Sequence, residues 1–204
     1  MHGWPYDIHS FAGVTPLLAP RGYRVIVSLY ELSPTDARQV LRDVQESVPV
    51  QLQPADIDDR VIPGGPTGQV SIRIVRPSGA VGVLPVVFHS HGGGWVPGDK
   101  DTHERLDREL ANQAQAVVVF VDYTPAPDAH YPVQNEQAYT ALQWAIANAA
   151  QIGADPSRVA LVGDSVGGNM TAGGRPLAAN RGEHPPQVSG GQYGREMVPI
   201  RGRR

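Results

Sequence analysis

Ser165 stands in Gly163-Asp164-Ser165-Val166-Gly167, directly after the apolar run Val159-Ala160-Leu161-Val162. A serine hydroxyl is a weak nucleophile and attacks a carbonyl only when it is raised clear of the backbone beside a base. A G-x-S-x-G sequence between a strand and a helix supplies the lift. The turn holds the serine at strained φ/ψ, and small residues two places before and after it let the chain fold back without collision. Upstream, His91-Gly92-Gly93-Gly94-Trp95 follows the apolar run from Val83 to Phe88. Acyl transfer makes a carbonyl oxygen negative, and backbone N–H groups must already point at it. Consecutive glycines let a loop turn its amides inward and let a substrate approach the main chain. Gly92 and Gly93 are the expected donors, with the Val166 amide as the third; His91, Gly94, Gly163, Asp164 and Gly167 are expected to shape the two loops. Each motif alone reads equally well as a glycine-rich turn. Their order and spacing together argue for a serine nucleophile with an oxyanion hole.

The elements that must position these loops follow from periodicity. Val83 to Phe88, Ala116 to Val121 and Arg158 to Val162 are short, continuous apolar runs, as expected of parallel strands buried on both faces. Thr102 to Gln115 reads as a helix with Leu106, Leu110 and Ala114 on one face, and Val133 to Ala150 keeps a second helical face. Val70, Ile72 and Ile74 alternate with Ser71 and Arg73, which predicts a half-buried strand; Gly64 to Gly68 is a turn, and Pro54 to Arg60 reads as a polar link. Leu32 to Ser47 predicts a helix capped by Ser33, with Pro34 at its first position and Ala37, Val40, Leu41 and Val44 on one face. Strand-helix-strand-helix-strand spacing argues an α/β fold with a mostly parallel sheet flanked by helices.

Composition limits the classes of function. With 204 residues, 41% hydrophobic and 18% charged, the chain suits one core of an ordinary soluble protein. Its formal net charge of −3 gives no reason to expect nucleic acid as a partner. There is no cysteine, hence no disulfide frame or thiolate metal site. No histidine spacing suggests zinc, so no metal or cofactor is expected. The longest clean apolar run, Ala116 to Val121, is far short of the ~20 residues that span a bilayer, and the N-terminus lacks signal-peptide regions. No membrane association and a cytoplasmic location are the expectations.

From about Leu32 to Ala172 the chain resembles the hormone-sensitive-lipase group of α/β-hydrolases, bacterial carboxylesterases in particular. The resemblance is carried by His91-Gly92-Gly93-Gly94-Trp95, by Asp122-Tyr123-Thr124-Pro125-Ala126-Pro127-Asp128 with Tyr131-Pro132, and by Asp155-Pro156-Ser157-Arg158 leading to Gly163-Asp164-Ser165-Val166-Gly167-Gly168-Asn169. It implies hydrolysis of a small, short-acyl ester by a serine nucleophile without cofactor, and a cap role for the helix at Leu32 to Ser47.

The sequence departs from that pattern in three places. The triad order in this fold is Ser, then Asp or Glu, then His. Beyond Ser165 the chain offers only Glu183, Glu196 and His184, the histidine in the breaker-rich Arg-Gly-Glu-His-Pro-Pro. Residues 173–204, rich in Gly, Pro and Arg, read as a disordered tail, and residues 1–28 as a separate segment. In that segment His2-Gly3-Trp4-Pro5-Tyr6-Asp7 and Val25-Ile26-Val27 resemble the haloperoxidase and epoxide-hydrolase branch. The expected organisation is thus a segment at 1–28, a truncated α/β-hydrolase domain at 29–172 and the tail. A mosaic of hydrolase fragments and a divergent N-terminal extension both account for residues 1–28. The expectations are a serine carboxylesterase impaired in this chain, or alternatively a non-catalytic remnant or acyl-binding module with a pocket lined by Trp95 and Tyr123. Self-association through an exposed sheet edge at Arg158 to Val162 completes the reading.

Overall fold

A computed structural model describes residues 32–171 and two short strands, Gly191–Tyr193 and Glu196–Val198. Within it α1 spans Pro34–Glu46, β1 Ala55–Pro63, β2 Gln69–Pro77, β3 Leu84–Ser90, α2 Glu104–Ala114, β4 Val117–Asp122, α3 Val133–Ala147 and β5 Ala154–Gly163. A further helix begins at 166. The five strands form one sheet in the order β1-β2-β4-β3-β5. The β3–β4 and β3–β5 pairs are parallel; β1–β2 and β2–β4 are antiparallel.

The centre of the sheet behaves as its sequence demands. Every residue from Val117 to Val121 is fully buried, so β4 meets helices on both faces. On one face Phe88, Val119, Ile72 and Leu161 pack under Ala138, Ala141, Leu142 and Ala145 of α3. On the other, Val75, Val87 and Val118 meet Ala111 of α2. The face of α3 is buried as its periodicity expects, at Ala138, Ala141, Leu142 and Ala145, whereas α2 differs from the simplest periodic reading. Leu106 is exposed and the buried positions of α2 are Asp107 and Ala111, because the Asp107 carboxylate reaches inward to His89.

Three other expectations are corrected. Residues 54–60 are not a link: Ala55–Pro63 is the edge strand β1, paired along its length with β2. Its charged residues Asp56, Asp58, Asp59 and Arg60 conceal the strand from a search for apolar alternation, yet charge on an edge discourages pairing with another chain. The polar face of β2 is covered rather than solvated. Arg73 is buried and donates to Asp59 through Nε at 2.7 Å and Nη2 at 2.9 Å, with Glu104 also in reach. The apolar face of α1 is not packed: Ala37 is buried, but Val44 is 57% exposed. The helix itself starts as expected, with the Asp36 amide donating to Ser33 Oγ at 3.1 Å and Pro34 at the first position.

The strand expected at 22–28 and the N-terminal segment at 1–28 lie outside the described residues. In the stretch read as tail, Gly191–Tyr193 and Glu196–Val198 pair as an antiparallel hairpin; no strand was visible there in the sequence, and the rest of 172–204 lies outside the described residues. Among the described residues β5 is hydrogen-bonded as a strand on its β3 side only, and the short strand Gly191–Tyr193 lies near it. No described helix is long and apolar enough to cross a membrane.

Ile72 is fully buried at the centre of the core, whereas Val61 on β1 is 64% exposed. Ile72→Ala is therefore expected to lower stability by about 2–5 kcal/mol and Val61→Ala by less than about 0.5 kcal/mol. Urea denaturation of the two variants measures the contrast, and equal midpoints would refute this placement of the core.

Candidate active site

The register of β3 against β5 sets the site. Ser90 lies opposite Gly163, so the loop leaving β3 and the turn leaving β5 emerge side by side at the same end of the sheet. Ser165 sits at the tip of the second, exposed, with φ of 50°. A non-glycine residue in this left-handed region is held there only by surrounding structure. The surroundings are close backbone contacts. A Cβ on Gly163 would strike the backbone of Gly167, and one on Gly167 would strike the Ser90 carbonyl oxygen. The smallness expected at these two positions is thus a packing requirement between β5, the new helix and β3. Gly167 N and Gly168 N donate to the Asp164 carbonyl at 2.8 and 3.3 Å, and close the turn.

The glycine loop is fastened from below and from the side. The His91 ring is fully buried and stacks on Tyr123, with centroids 4.1 Å apart and planes 4° from parallel. Its Nδ1 lies 2.7 Å from the Gly92 carbonyl; a carbonyl only accepts, so Nδ1 carries the proton. The Tyr123 hydroxyl donates to the His91 carbonyl at 3.0 Å. In the peptide that joins Gly92 to Gly93, C=O and N–H point in opposite directions. Holding the Gly92 carbonyl against His91 therefore turns the Gly93 N–H away from the interior. At the side, the Gly92 amide donates to Asp164 Oδ1 at 2.8 Å, and a Cβ on Gly92 would overlap that carboxylate.

This bond corrects one expectation. Gly92 N–H is committed to Asp164 and is not free to meet a substrate oxygen. The amides of Gly93, Gly94 and Val166 have no hydrogen-bond partner among the described residues. Gly93 and Gly94 both hold positive φ, 108° and 62°, a region that glycine enters without steric cost. Gly94 was expected only to shape the loop; the signal for its amide was the third glycine of the motif itself.

The remaining histidines fall into distinct places. His89 and Asp107 form a fully buried pair, Nδ1 to Oδ1 at 2.6 Å, on the α2 side of the sheet. His103 packs between the His89 and His91 rings, at centroid distances of 5.9 and 5.0 Å. These rings are structural. His130 is exposed and was not singled out in the sequence, yet it borders a cavity of about 240 Å³ beside the glycine loop with Trp95, Ala126, Ala129, Tyr131 and Gln134. Trp95 thus lines a pocket as expected. Tyr123 does not: it is buried against His91. His184 and Glu183 lie outside the described residues, as does the side chain of Glu196. Among the described residues no group of histidines and carboxylates is arranged to hold a metal ion.

Burial acts in opposite directions on two titrating groups of this region. It pushes the His91 imidazole down to about 4, helped by repulsion from His103. It pushes the Asp122 carboxyl, below the loop at the end of β4, up to about 6, with the Asp99 charge adding to the rise. His91 contributes stability that is full above its unfolded value near 6.5 and is lost as pH falls through 4. Asp122 contributes stability that is full below about 3.8 and is lost as pH rises through 6.

A family described as "alpha/beta hydrolase fold" matches residues 87–193. The chain is 40% identical over 149 residues to "Carboxylesterase NlhH" of Mycobacterium tuberculosis, an alignment covering 73% of this chain and 46% of that protein. It is 42% identical over 137 residues to "Carboxylic ester hydrolase LipN" of the same organism, covering 67% of this chain and 36% of LipN. Among solved structures, a thermostable esterase from Pseudomonas putida superposes with a TM-score of 0.74 at 41% identity, covering 91% of this chain and 56% of its own. The chain spans about half, or less, of the length of these curated relatives.

Two outcomes are expected here. Gly167→Ala, which drives a methyl into the Ser90 carbonyl, should cost about 3 kcal/mol, and Gly94→Ala, with open space around it, about 1 kcal/mol for its positive φ; equal urea midpoints would contradict the elbow packing. Asp122→Asn should raise stability at pH 7 by up to about 3 kcal/mol, with the gain vanishing by pH 4. Thermal unfolding at pH 4, 5.5 and 7 decides it, and a shift independent of pH would sink the assignment.

Proposed function

The chain belongs to the α/β-hydrolase fold family, in its hormone-sensitive-lipase-like carboxylesterase group, and from that membership we propose that it is a serine carboxylester hydrolase acting on small, short-acyl esters. In this reading the Ser165 Oγ adds to the ester carbonyl carbon. The carbonyl oxygen gains the negative charge and is met by the N–H groups of Gly93, Gly94 and Val166. The alcohol departs, and water then releases the acid from the acyl-serine. The observation that carries the proposal is the conjunction of a serine at positive φ with three amides, on the two adjoining loops, that have no partner among the described residues. Amides held in place before the reaction need no reorganisation as charge develops, and this is the source of their effect.

The cavity beside the loop supports the choice of a small ester. At about 240 Å³ it is below the usual range of pockets for drug-sized ligands, about 300–1,000 Å³, and its walls are Trp95, Ala126, Ala129 and Tyr131 with Gln134 at the back. The reaction requires a base for the serine proton, a role for which His184 is tested below. Asp164 in this scheme takes no proton; it ties the Gly92 amide to the elbow so that the neighbouring amides are displayed together.

Hydrolysis of p-nitrophenyl acetate and labelling by a fluorophosphonate probe test the reading on the parent, Ser165→Ala and His184→Ala. Ser165→Ala is expected to abolish labelling and lower turnover by at least ~10³-fold. A similar loss in His184→Ala identifies it as the base. Equal background in the parent and Ser165→Ala would overturn the proposal and leave acyl binding without turnover as the reading.

A further inference from the structure

We propose that Arg38, on α1, is the positioning residue that holds the glycine loop and the adjoining 126–128 loop in register. Its guanidinium makes three hydrogen bonds to two separate loops. Nε donates to the Val96 carbonyl at 3.0 Å, and Nη2 donates to the Ala126 carbonyl at 2.7 Å and to Asp128 Oδ2 at 2.8 Å. Val96 N in turn donates to the Gly93 carbonyl at 3.1 Å, and Ala126 N donates to the Trp95 carbonyl at 2.7 Å. A closed circuit results: Arg38 to Val96, Val96 to Gly93, Trp95 to Ala126, and Ala126 back to Arg38. Gly93 and Trp95 belong to the loop whose Gly93 and Gly94 amides have no partner among the described residues, and Trp95 and Ala126 both line the cavity.

The chemistry selects arginine. Two carbonyls and a carboxylate on different loops need a planar group with several donors in fixed directions, which guanidinium supplies and ammonium does not. The side chain is only 24% exposed while Asp128 is 57% exposed. The carboxylate pair is therefore screened by solvent and weak, and the two partly buried carbonyl bonds carry the hold. Arg42, one turn along the same helix, donates from Nε and Nη2 to Asp99 at 3.0 and 2.6 Å. It anchors α1 but touches neither Val96 nor Ala126, so it serves as a control for docking of the helix.

The part played by Arg38 in catalysis rests on the serine-hydrolase reading, whereas the ordering of the two loops does not. Hydrogen exchange followed by mass spectrometry is therefore the first readout. In Arg38→Ala, amides in 93–98 and 126–129 are expected to exchange about tenfold faster or more, with β4 unchanged. Arg38→Lys should fall between parent and Arg38→Ala. Arg42→Ala should leave 93–98 within about twofold of the parent. Unchanged exchange at 93–98 in Arg38→Ala, a rise spread uniformly over the sheet, or the same effect from Arg42→Ala would each overturn the proposal. On p-nitrophenyl acetate, Arg38→Ala should lower kcat about tenfold with KM within about twofold, since the displaced amides act on the developing charge. Should the parent show no turnover or labelling, the hydrolase reading fails while the exchange pattern still decides the role of Arg38.

Discussion

The hydrogen bond from the Gly92 amide to the Asp164 carboxylate joins the two loops on which the site is built. It forms because Ser90 of β3 stands opposite Gly163 of β5, so that two chain segments far apart in sequence leave the sheet together. It needs glycine at 92, where any side chain would occupy the place of the carboxylate, and glycine at 167, where any side chain would push the new helix off β3. The bond joins the loop of Gly93 and Gly94 to the turn of Ser165 and Val166, and the amides of Gly93, Gly94 and Val166 have no partner among the described residues. Neither loop has this geometry alone. The backbone of Ser165 at positive φ is backed by the close packing of Gly167 on β3, and the Gly92 amide is held by a residue on the turn after β5.

Beneath the two loops lies a polar interior that works by exclusion of alternatives. His91, stacked between Tyr123 and Phe120, takes the Gly92 carbonyl and thereby fixes the direction of the next amide. His89 and Asp107 pair through Nδ1 and Oδ1 on the α2 side. Burial keeps the His91 imidazole neutral at ordinary pH and discourages ionisation of Asp122. These opposed tendencies mean that acidification relieves one strained group as it charges another. The loop floor is therefore less sensitive to pH between about 4 and 6 than either group would be by itself.

Strands β2 to β5, the helices between them and both motifs could be read from sequence, because valine runs, helical periodicity and paired glycines are local signals. What escaped was whatever depends on a partner distant in the chain. β1 was read as a link because an edge strand covered with Asp and Arg carries no apolar alternation. The covered polar face of β2 depends on Arg73 meeting Asp59 and Glu104. The assignment of Gly92 as a free donor failed because its commitment to Asp164 is a contact across the sheet, and Arg38 drew no notice because nothing about an arginine on an exposed helix announces three acceptors. Tyr123 was expected on the pocket wall, but it stacks instead on a ring that only the fold brings near.

Helix α1 is fastened by cation-to-oxygen contacts at Arg38 and Arg42 and leaves Val44 largely uncovered, whereas α3 is fastened mainly by contact of apolar side chains. The two kinds of attachment respond in opposite ways to the medium. Added salt screens exposed ionic tethers, while strongly hydrated anions such as sulfate favour burial of hydrocarbon. Ionic strength thus weakens the exposed pairs of the outer helix with Asp128 and Asp99, while the partly buried carbonyl bonds of Arg38 and the apolar packing of α3 hold as firmly or more so, and the order in which these attachments give way is set by the solvent rather than by temperature.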